Sequence, residues 1–196
     1  FEDAHTLNID LVKGGTETLS FDHAVLATGS YPTKVPSLSL DTPRVMDSTS
    51  ALELETIPET LLVVGGGYIG LELGSVYAAL GSKVTVVEMM SRLLPGADQD
   101  LARVLIKELN KKMEATWTET MVVEMKETDE GIAVKFDGKH APEGEMVFDK
   151  VLVSIGRRPN SQNLGLENTK VELDQRGFVK VNVQRQTAEP SIYAIG

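Results

Sequence analysis

Two hydrophobic rhythms alternate along this chain. Within residues 1–30, "HTLNIDLV" alternates apolar and polar positions and "TLSFDHAVLATG" ends in an apolar run and a glycine, which predicts β structure. Pro32, Pro36, Pro43 and Pro58 then punctuate a connecting stretch with room for one short helix near "STSALELE". Leu61–Val64 is a short continuous apolar run, the pattern of a parallel strand buried on both faces. From Tyr68 to Leu80 the period becomes helical: Ile69, Leu73, Val76, Tyr77 and Leu80 form the stripe, and Gly81 is the C-terminal stop. "KVTVVE", Lys83–Glu88, is the next strand, so Leu61–Glu88 reads as one βαβ unit.

A second helix is expected over Asp98–Lys112. Leu101, Leu105 and Leu109 recur every fourth residue, Asp98 and Asp100 suit its first turn, and Lys111 and Lys112 its last. Strand-like runs follow at Met121–Met125, at Gly131–Phe136 and, as "MVFDKVLVSIG", from Met146; the turn signals between them predict an antiparallel meander. Residues 157–170 read as loop, and 177–196 as strand-like again, interrupted by Pro190. The fold class is therefore α/β, with a βαβ-plus-meander domain inserted between two β-rich pieces. Those outer pieces are too small to bury a core separately, so they are expected to pair with each other.

Composition narrows the function. A net charge of −10 and a pI of about 4.8 argue against nucleic acid or an anionic membrane as the main partner. They leave open an anionic cofactor bound by backbone amides. With no cysteine, these residues hold no disulfide, thiolate metal site or thiol redox couple, and His5, His23 and His140 are too scattered to suggest a metal site. No apolar run approaches the roughly 20 residues of a spanning helix. The chain opens on Phe1 and stops in the apolar run "SIYAIG", which reads as a piece of a longer protein.

The chemistry centres on "GGGYIG". Gly65, Gly67 and Gly70 form G-x-G-x-x-G after an apolar strand and at the start of a helix, the context the motif needs. The first glycine permits a tight turn, the second lets a pyrophosphate reach the backbone, and the third lets helix and strand pack closely. Gly74, one turn on, extends that small face. Glu88 ends the second strand 18 residues after Gly70, where a ribose-binding acid is expected. Its charge would repel a 2′-phosphate, so NAD is favoured over NADP; Arg92 nearby is the residue that would bind that phosphate under the opposite reading. The motif by itself also accommodates FAD.

With the loop placed, other stretches fall into a pattern. "VLATGSYP" (Val25–Pro32), "VVGGGYIGLELG" (Val63–Gly74), "ALGSKVTVVE" (Ala79–Glu88), "LLPGAD" (Leu93–Asp98), "VLVSIGRRPN" (Val151–Asn160) and "IYAIG" (Ile192–Gly196) occur in one order along the whole chain. In this the sequence resembles the pyridine nucleotide-disulfide oxidoreductases, and among them those that act on dihydrolipoamide. The resemblance implies a Rossmann-like NAD-binding domain, residues 45–170, set within a truncated FAD-binding domain represented by 1–44 and 171–196. It implies that Gly65, Gly66, Gly67, Tyr68 and Ile69 line the NAD pyrophosphate and nicotinamide, with Gly70 closing the motif. Glu72 would face the flavin–nicotinamide junction, Glu88 the ribose and Met121 the adenine; Ser154, Ile155, Gly156 and Arg157 would approach the nicotinamide. On spacing alone, Ile69 and Met121 also read as core residues, Glu72 as a surface carboxylate, and Arg157 and Arg158 as solvated charges.

For FAD, Gly29 and Ser30 would border the cofactor, and Asp3 stands where the family often has glycine. The family's first glycine loop, redox C-x-x-x-x-C and His–Glu pair are absent from these residues. No catalytic residue is therefore expected here. The parent would be a cytoplasmic homodimer (in the mitochondrial matrix of a eukaryote) that oxidises a lipoylated carrier of a 2-oxo acid dehydrogenase complex and passes electrons through FAD to NAD+. Related reductases, NADH oxidases and a non-catalytic nucleotide-binding module are the competing readings.

Overall fold

The alternating and helical rhythms resolve into fourteen strands and two α-helices in a computed structural model that describes residues 1–196. In chain order they are β1 (Thr6–Asp10), β2 (Thr16–Ser20), β3 (Ala24–Leu26), β4 (Ser30–Pro32), β5 (Val45–Met46), β6 (Thr60–Val64), α1 (Tyr68–Ala79), β7 (Lys83–Val87) and α2 (Gln99–Leu109). Then come β8 (Ala115–Trp117), β9 (Thr120–Glu127), β10 (Ile132–Gly138), β11 (Glu145–Phe148), β12 (Lys150–Val153), β13 (Arg157–Pro159) and β14 (Ile192–Ala194). The chain divides into two units: Pro32–Gly156, and Phe1–Tyr31 together with Arg157–Gly196.

The Pro32–Gly156 unit has three layers. Its centre is a five-stranded parallel sheet in the order β5-β12-β6-β7-β8. Strand side chains point alternately to the two faces, and both faces are covered, which is why these strands read as unbroken apolar runs. On one face Leu61, Val63, Val84, Val86 and Leu152 pack with Leu71, Leu73 and Tyr77 of α1 and Leu109 of α2. On the other face Leu62, Val64, Val87, Val151 and Val153 meet Met125, Ile132, Val134 and Phe148 of the antiparallel β11-β10-β9 meander. Trp117, Phe136 and Phe148 join that second core edge to face, with ring centroids 5.5 and 6.4 Å apart. Each fully buried Leu or Val in these layers is worth about 1.5–3 kcal/mol of transfer energy.

Several sequence expectations shift. The stripe drawn along α1 is rotated: Gly70, Leu71, Leu73, Gly74 and Tyr77 are buried, whereas Val76 and Leu80 are exposed. Gly70 sets this, because a helix sits lowest on a sheet where it carries no side chain; a Cβ at Gly70 would stand 3.0 Å from Val63 Cγ1, whereas one at Gly74 would make ordinary contact with Val63 and Val84. In α2, Leu101 and Leu105 are exposed; Ala102, Ile106 and Leu109 form the inward face. That helix begins after Asp98 and ends at Leu109, so Lys107 occupies its last turn and Lys111 and Lys112 lie beyond it. "MVFDKVLVSIG" is two strands in two sheets, divided at Asp149. Asp149 and Thr60 bind reciprocally there, each backbone N–H donating to the other's side chain at 2.9 Å. Residues 157–170 contain β13 and a short 3₁₀ turn, and 177–196 contains only one strand, β14.

The other unit is smaller. β1 and β2 form an antiparallel hairpin, and β3 pairs in parallel with β14, so the outer segments do pair with each other. Leu26, Leu166, Ile192 and Ala194 make its buried core, flanked by Phe1, Phe21, Leu164, Val171, Val179 and Val181. No helix in the structure is long and apolar enough to cross a membrane.

Two side chains brace the segment before β6. The buried Tyr77 hydroxyl donates to the Ala51 carbonyl at 2.8 Å, and burial pushes its phenol up from its ordinary value. Asp47 accepts from the Thr49 and Ser50 N–H groups at 2.8 and 3.0 Å. Partial burial works to raise its carboxyl, but the Ser50 and Thr49 donors outweigh it and hold the group below its ordinary value. Tyr77→Phe is expected to cost about 1 kcal/mol in urea unfolding, because the Ala51 carbonyl is left unpaired. The folded Asp47 carboxyl is more acidic than the unfolded one. Its contribution is therefore full above the unfolded value and lost as pH falls through the folded value. Asp47→Asn should accordingly show a smaller fall in Tm than the parent chain as pH is lowered through and below the ordinary carboxylate range.

Candidate functional site

β6 ends where the chain must turn sharply under α1. Gly65 takes φ +108°, and its N–H donates to the Val87 carbonyl at 2.8 Å, continuing the β6–β7 ladder by one residue. A Cβ on Gly65 would stand 2.5 Å from the Ser154 carbonyl oxygen. A Cβ on Gly70 would stand 2.3 Å from the Gly65 carbonyl oxygen and 2.5 Å from Ser154 Oγ. Ser154 lies directly beneath this turn: its N–H donates to the Val64 carbonyl at 2.8 Å, and its hydroxyl reaches the Val64 and Gly65 carbonyls at 3.1 and 3.3 Å.

The two glycines between differ in kind. Gly66 is buried, and a Cβ there would meet Leu93 Cδ2 at 2.4 Å and Glu88 Cβ at 3.0 Å. Gly67 has φ −77° and ψ 176°, which any residue adopts, and a Cβ there would meet nothing within 4 Å. Neither backbone conformation nor packing explains a glycine at 67. The first helical bond of α1 runs from Leu71 N–H to the Gly67 carbonyl at 3.1 Å. The N–H groups of Tyr68, Ile69 and Gly70 precede it and have no carbonyl of their own helix to meet. The positive end of the helix dipole therefore coincides with this exposed backbone.

Glu88 stands one residue past β7 and faces the loop. One carboxylate oxygen accepts from Gly66 N–H at 2.7 Å, the other from Met90 N–H at 2.7 Å. Each oxygen keeps further acceptor capacity for a sugar hydroxyl. Arg92 donates to the Pro95 carbonyl at 2.7 Å, within its own turn.

The sequence profile described as pyridine nucleotide-disulphide oxidoreductase matches residues 1–196. The chain belongs to that family. Dihydrolipoyl dehydrogenase of Vibrio parahaemolyticus is 45% identical over 191 residues, covering 96% of this chain and 40% of the relative. That of Haloferax volcanii is 41% identical over 186 residues, covering 93% and 38%. Among solved structures, the HOCl-induced flavoprotein disulfide reductase RclA from Escherichia coli matches with a TM-score of 0.87 at 29% identity, over 100% of this chain and 43% of that one. Water-forming NADH oxidase from Lactobacillus brevis, bound to NADH, matches with a TM-score of 0.82 at 25% identity, over 100% and 44%. The chain spans about 40% of the length of the curated relatives.

The structure brings together Gly65, Gly66, Gly67, Gly70, Glu88 and Ser154 of the residues expected from membership of the pyridine nucleotide-disulphide oxidoreductases. Tyr68 on the first turn of α1 and Glu72 at the start of its second are exposed, and Ile69 is partly buried against the helix-side core. Met121 is exposed at the start of β9, next to Thr120, whose N–H donates to the Glu88 carbonyl at 3.1 Å. Ile155 is partly buried against the meander-side core. Gly156 takes φ +122° and accepts from Thr33 N–H at 3.0 Å.

Arg157, Ser30, Gly29 and Asp3 belong to the other unit. There Arg157 Nε donates to Ser30 Oγ at 2.7 Å, so that guanidinium is tied rather than merely solvated. Gly29 lines a cavity of about 440 Å³ with Leu26, Thr28, Asn160, Phe178 and Ala194. Asp3 accepts from His5 N–H at 2.7 Å in a local turn; the His5 and Thr6 donors lower its carboxyl. Sequence reasoning gave no role to Leu93, although its side chain occupies the space that a Cβ at Gly66 would need. Its signal was its place at the head of the stretch "LLPGAD", five residues after Glu88. Gly66→Ala, which forces a methyl against Leu93 and Glu88, is expected to destabilise the fold by about 1–3 kcal/mol in chemical denaturation.

Proposed function

We propose that the Pro32–Gly156 unit is the NAD(H)-binding part of a flavoprotein oxidoreductase, and that the parent is a dihydrolipoyl dehydrogenase. The observation that carries the reading is Gly67. It is a glycine that the fold does not require, at a helix start with unpaired N–H groups, beside a carboxylate held at the end of the neighbouring strand. A pyrophosphate accounts for all three features: it needs bare backbone, oriented amides and an adjacent acceptor for the ribose. The residues present therefore fit the dinucleotide.

In this reading the N–H groups from Gly67 to Gly70 hold the pyrophosphate, and Glu88 accepts hydrogen bonds from the adenosine ribose. The carboxylate disfavours a 2′-phosphate, and Arg92, committed to Pro95, does not offset it, so NAD is preferred to NADP. Met121 covers the adenine, and Ile69 and Glu72 lie toward the nicotinamide. The nicotinamide supplies hydride acceptance; the chain supplies position, exclusion of alternatives and fixed charge.

The unit formed by Phe1–Tyr31 and Arg157–Gly196 is proposed as part of the FAD-binding domain, with Gly29 and its cavity facing the cofactor, Ser30 bordering it, and Asp3 nearby. The parent is proposed as a homodimer acting on a lipoylated carrier protein, with its redox disulfide supplied by residues outside these 196. The whole-chain likeness to an NADH oxidase favours one second reading, in which the same nucleotide site serves a different electron acceptor.

Gly67→Ala separates this proposal from a purely structural loop. It is expected to lower stability by no more than about 1 kcal/mol, the cost of alanine at the α1 N-cap, and to weaken NADH binding at least about tenfold, read by fluorescence titration. Glu88→Ala should weaken NADH binding and also lower stability, since two backbone donors lose their acceptor. Unchanged NADH affinity in Gly67→Ala, or no saturation in the parent chain, would overturn the reading.

A further inference from the structure

The turn that follows Glu88 also touches the glycine loop. Leu94 N–H donates to the Gly66 carbonyl at 2.9 Å, while Gly66 N–H donates to Glu88. The Gly66 carbonyl and the Gly67 N–H belong to one planar trans peptide, so fixing the carbonyl fixes the direction of that N–H. This peptide lies between two glycines, the residues least able to hold their own orientation. Nothing within residues 65–67 stops it from flipping; the restraint comes from Leu94.

The restraint itself is well seated. Leu93 is 2% exposed, and its side chain fills the space above Gly66. The turn is closed by Ala97 N–H to the Leu94 carbonyl at 3.0 Å and by Arg92 to the Pro95 carbonyl at 2.7 Å. Leu94 takes φ +50°, a left-handed conformation that is costly for leucine and persists only where surroundings over-determine it. A second such residue, Glu119 at φ +50°, flanks the same region and donates its N–H to the Met90 carbonyl at 2.9 Å. Strained backbone is thus found at two turns that hold Gly66 and the Glu88 partner Met90.

We infer that the Arg92–Ala97 turn is a latch for the dinucleotide loop, in which Leu94 orients the Gly66–Gly67 peptide so that the Gly67 N–H faces the pyrophosphate, and Leu93 seats the latch. The inference rests on the NAD(H) reading above for its ligand, but the latch itself is testable without one. Leu93 and Leu94 are positioning residues; neither is assigned a contact with the nucleotide.

The test is hydrogen–deuterium exchange with mass spectrometry on the intact protein, paired with NADH titration, for the parent, Leu93→Ala and the volume-conserving Leu93→Met. In Leu93→Ala, peptides covering residues 90–97 and 64–68 should exchange at least about tenfold faster, while those from β12 stay unchanged. The NADH dissociation constant should rise about tenfold or more, and Leu93→Met should restore both readouts. Unchanged exchange in folded Leu93→Ala overturns the latch, whatever happens to NADH. Faster exchange with unchanged NADH affinity overturns its positioning role. If the parent fails to bind NADH, the nucleotide reading falls, and the exchange data still decide the latch. Should Leu93→Ala not fold, Leu93→Val carries the same readouts.

Discussion

Helix α1 approaches β6 at a distance only glycine permits, and the site depends on that approach. With 2.3 Å between a Cβ at Gly70 and the Gly65 carbonyl oxygen, any side chain at 70 would lift the helix off the sheet. Lifting it would swing the first turn of α1 away from Ser154 and draw the glycine loop out from beneath Leu93. The same closeness selects the helix's buried face, drawing Gly70, Gly74 and Tyr77 inward and leaving Val76 at the surface. Packing and binding geometry are here one constraint seen from two sides.

The sheet turns this constraint into a site. Gly65, Glu88 and Ser154 each stand immediately past the end of a parallel strand, β6, β7 and β12 respectively, and these strands are adjacent. Parallel order brings their carboxyl ends to one edge, where loops rather than ladders satisfy the backbone. Of the three, Gly65 provides the turn, Glu88 the charge and Ser154 the floor. Their work is to hold backbone amides in fixed directions in advance of binding, which keeps reorganisation out of the binding step.

Much of this was legible in the chain because its periods are strong. β6, α1 and β7 were readable from an apolar run, a glycine triplet and a helical stripe, and the site followed from their order. The failures have physical causes. Leu101 and Leu105 repeat at helical spacing yet face outward, because the inward face of α2 uses Ala102 and Ile106, and periodicity cannot say which of two overlapping stripes is buried. "MVFDKVLVSIG" looked like one strand because both of its halves are apolar, although Met146 and Phe148 pack in the meander and Val151–Val153 in the parallel sheet. The depth of Ser154, under the glycine loop with its hydroxyl on the Val64 and Gly65 carbonyls, is set by strand register, which spacing does not carry. The part played by Leu94 was invisible, because a main-chain donor carries no residue-type signal.

The strand order has a consequence for how the unit comes into being. β12 lies between β5 and β6, yet it is the last of the five to emerge from the ribosome, and Lys150 must find Leu61 across the whole of the intervening chain. Until it arrives, one edge of β6, among the most apolar strands in the protein, has no neighbour. Such an edge is a template for wrong pairing, and long-range parallel closure is slow. The meander is therefore more than a cover for the sheet. It is the tether that leads to the missing strand, and its hairpins, built from local pairings, bring β12 closer to the gap than the length of intervening chain alone would.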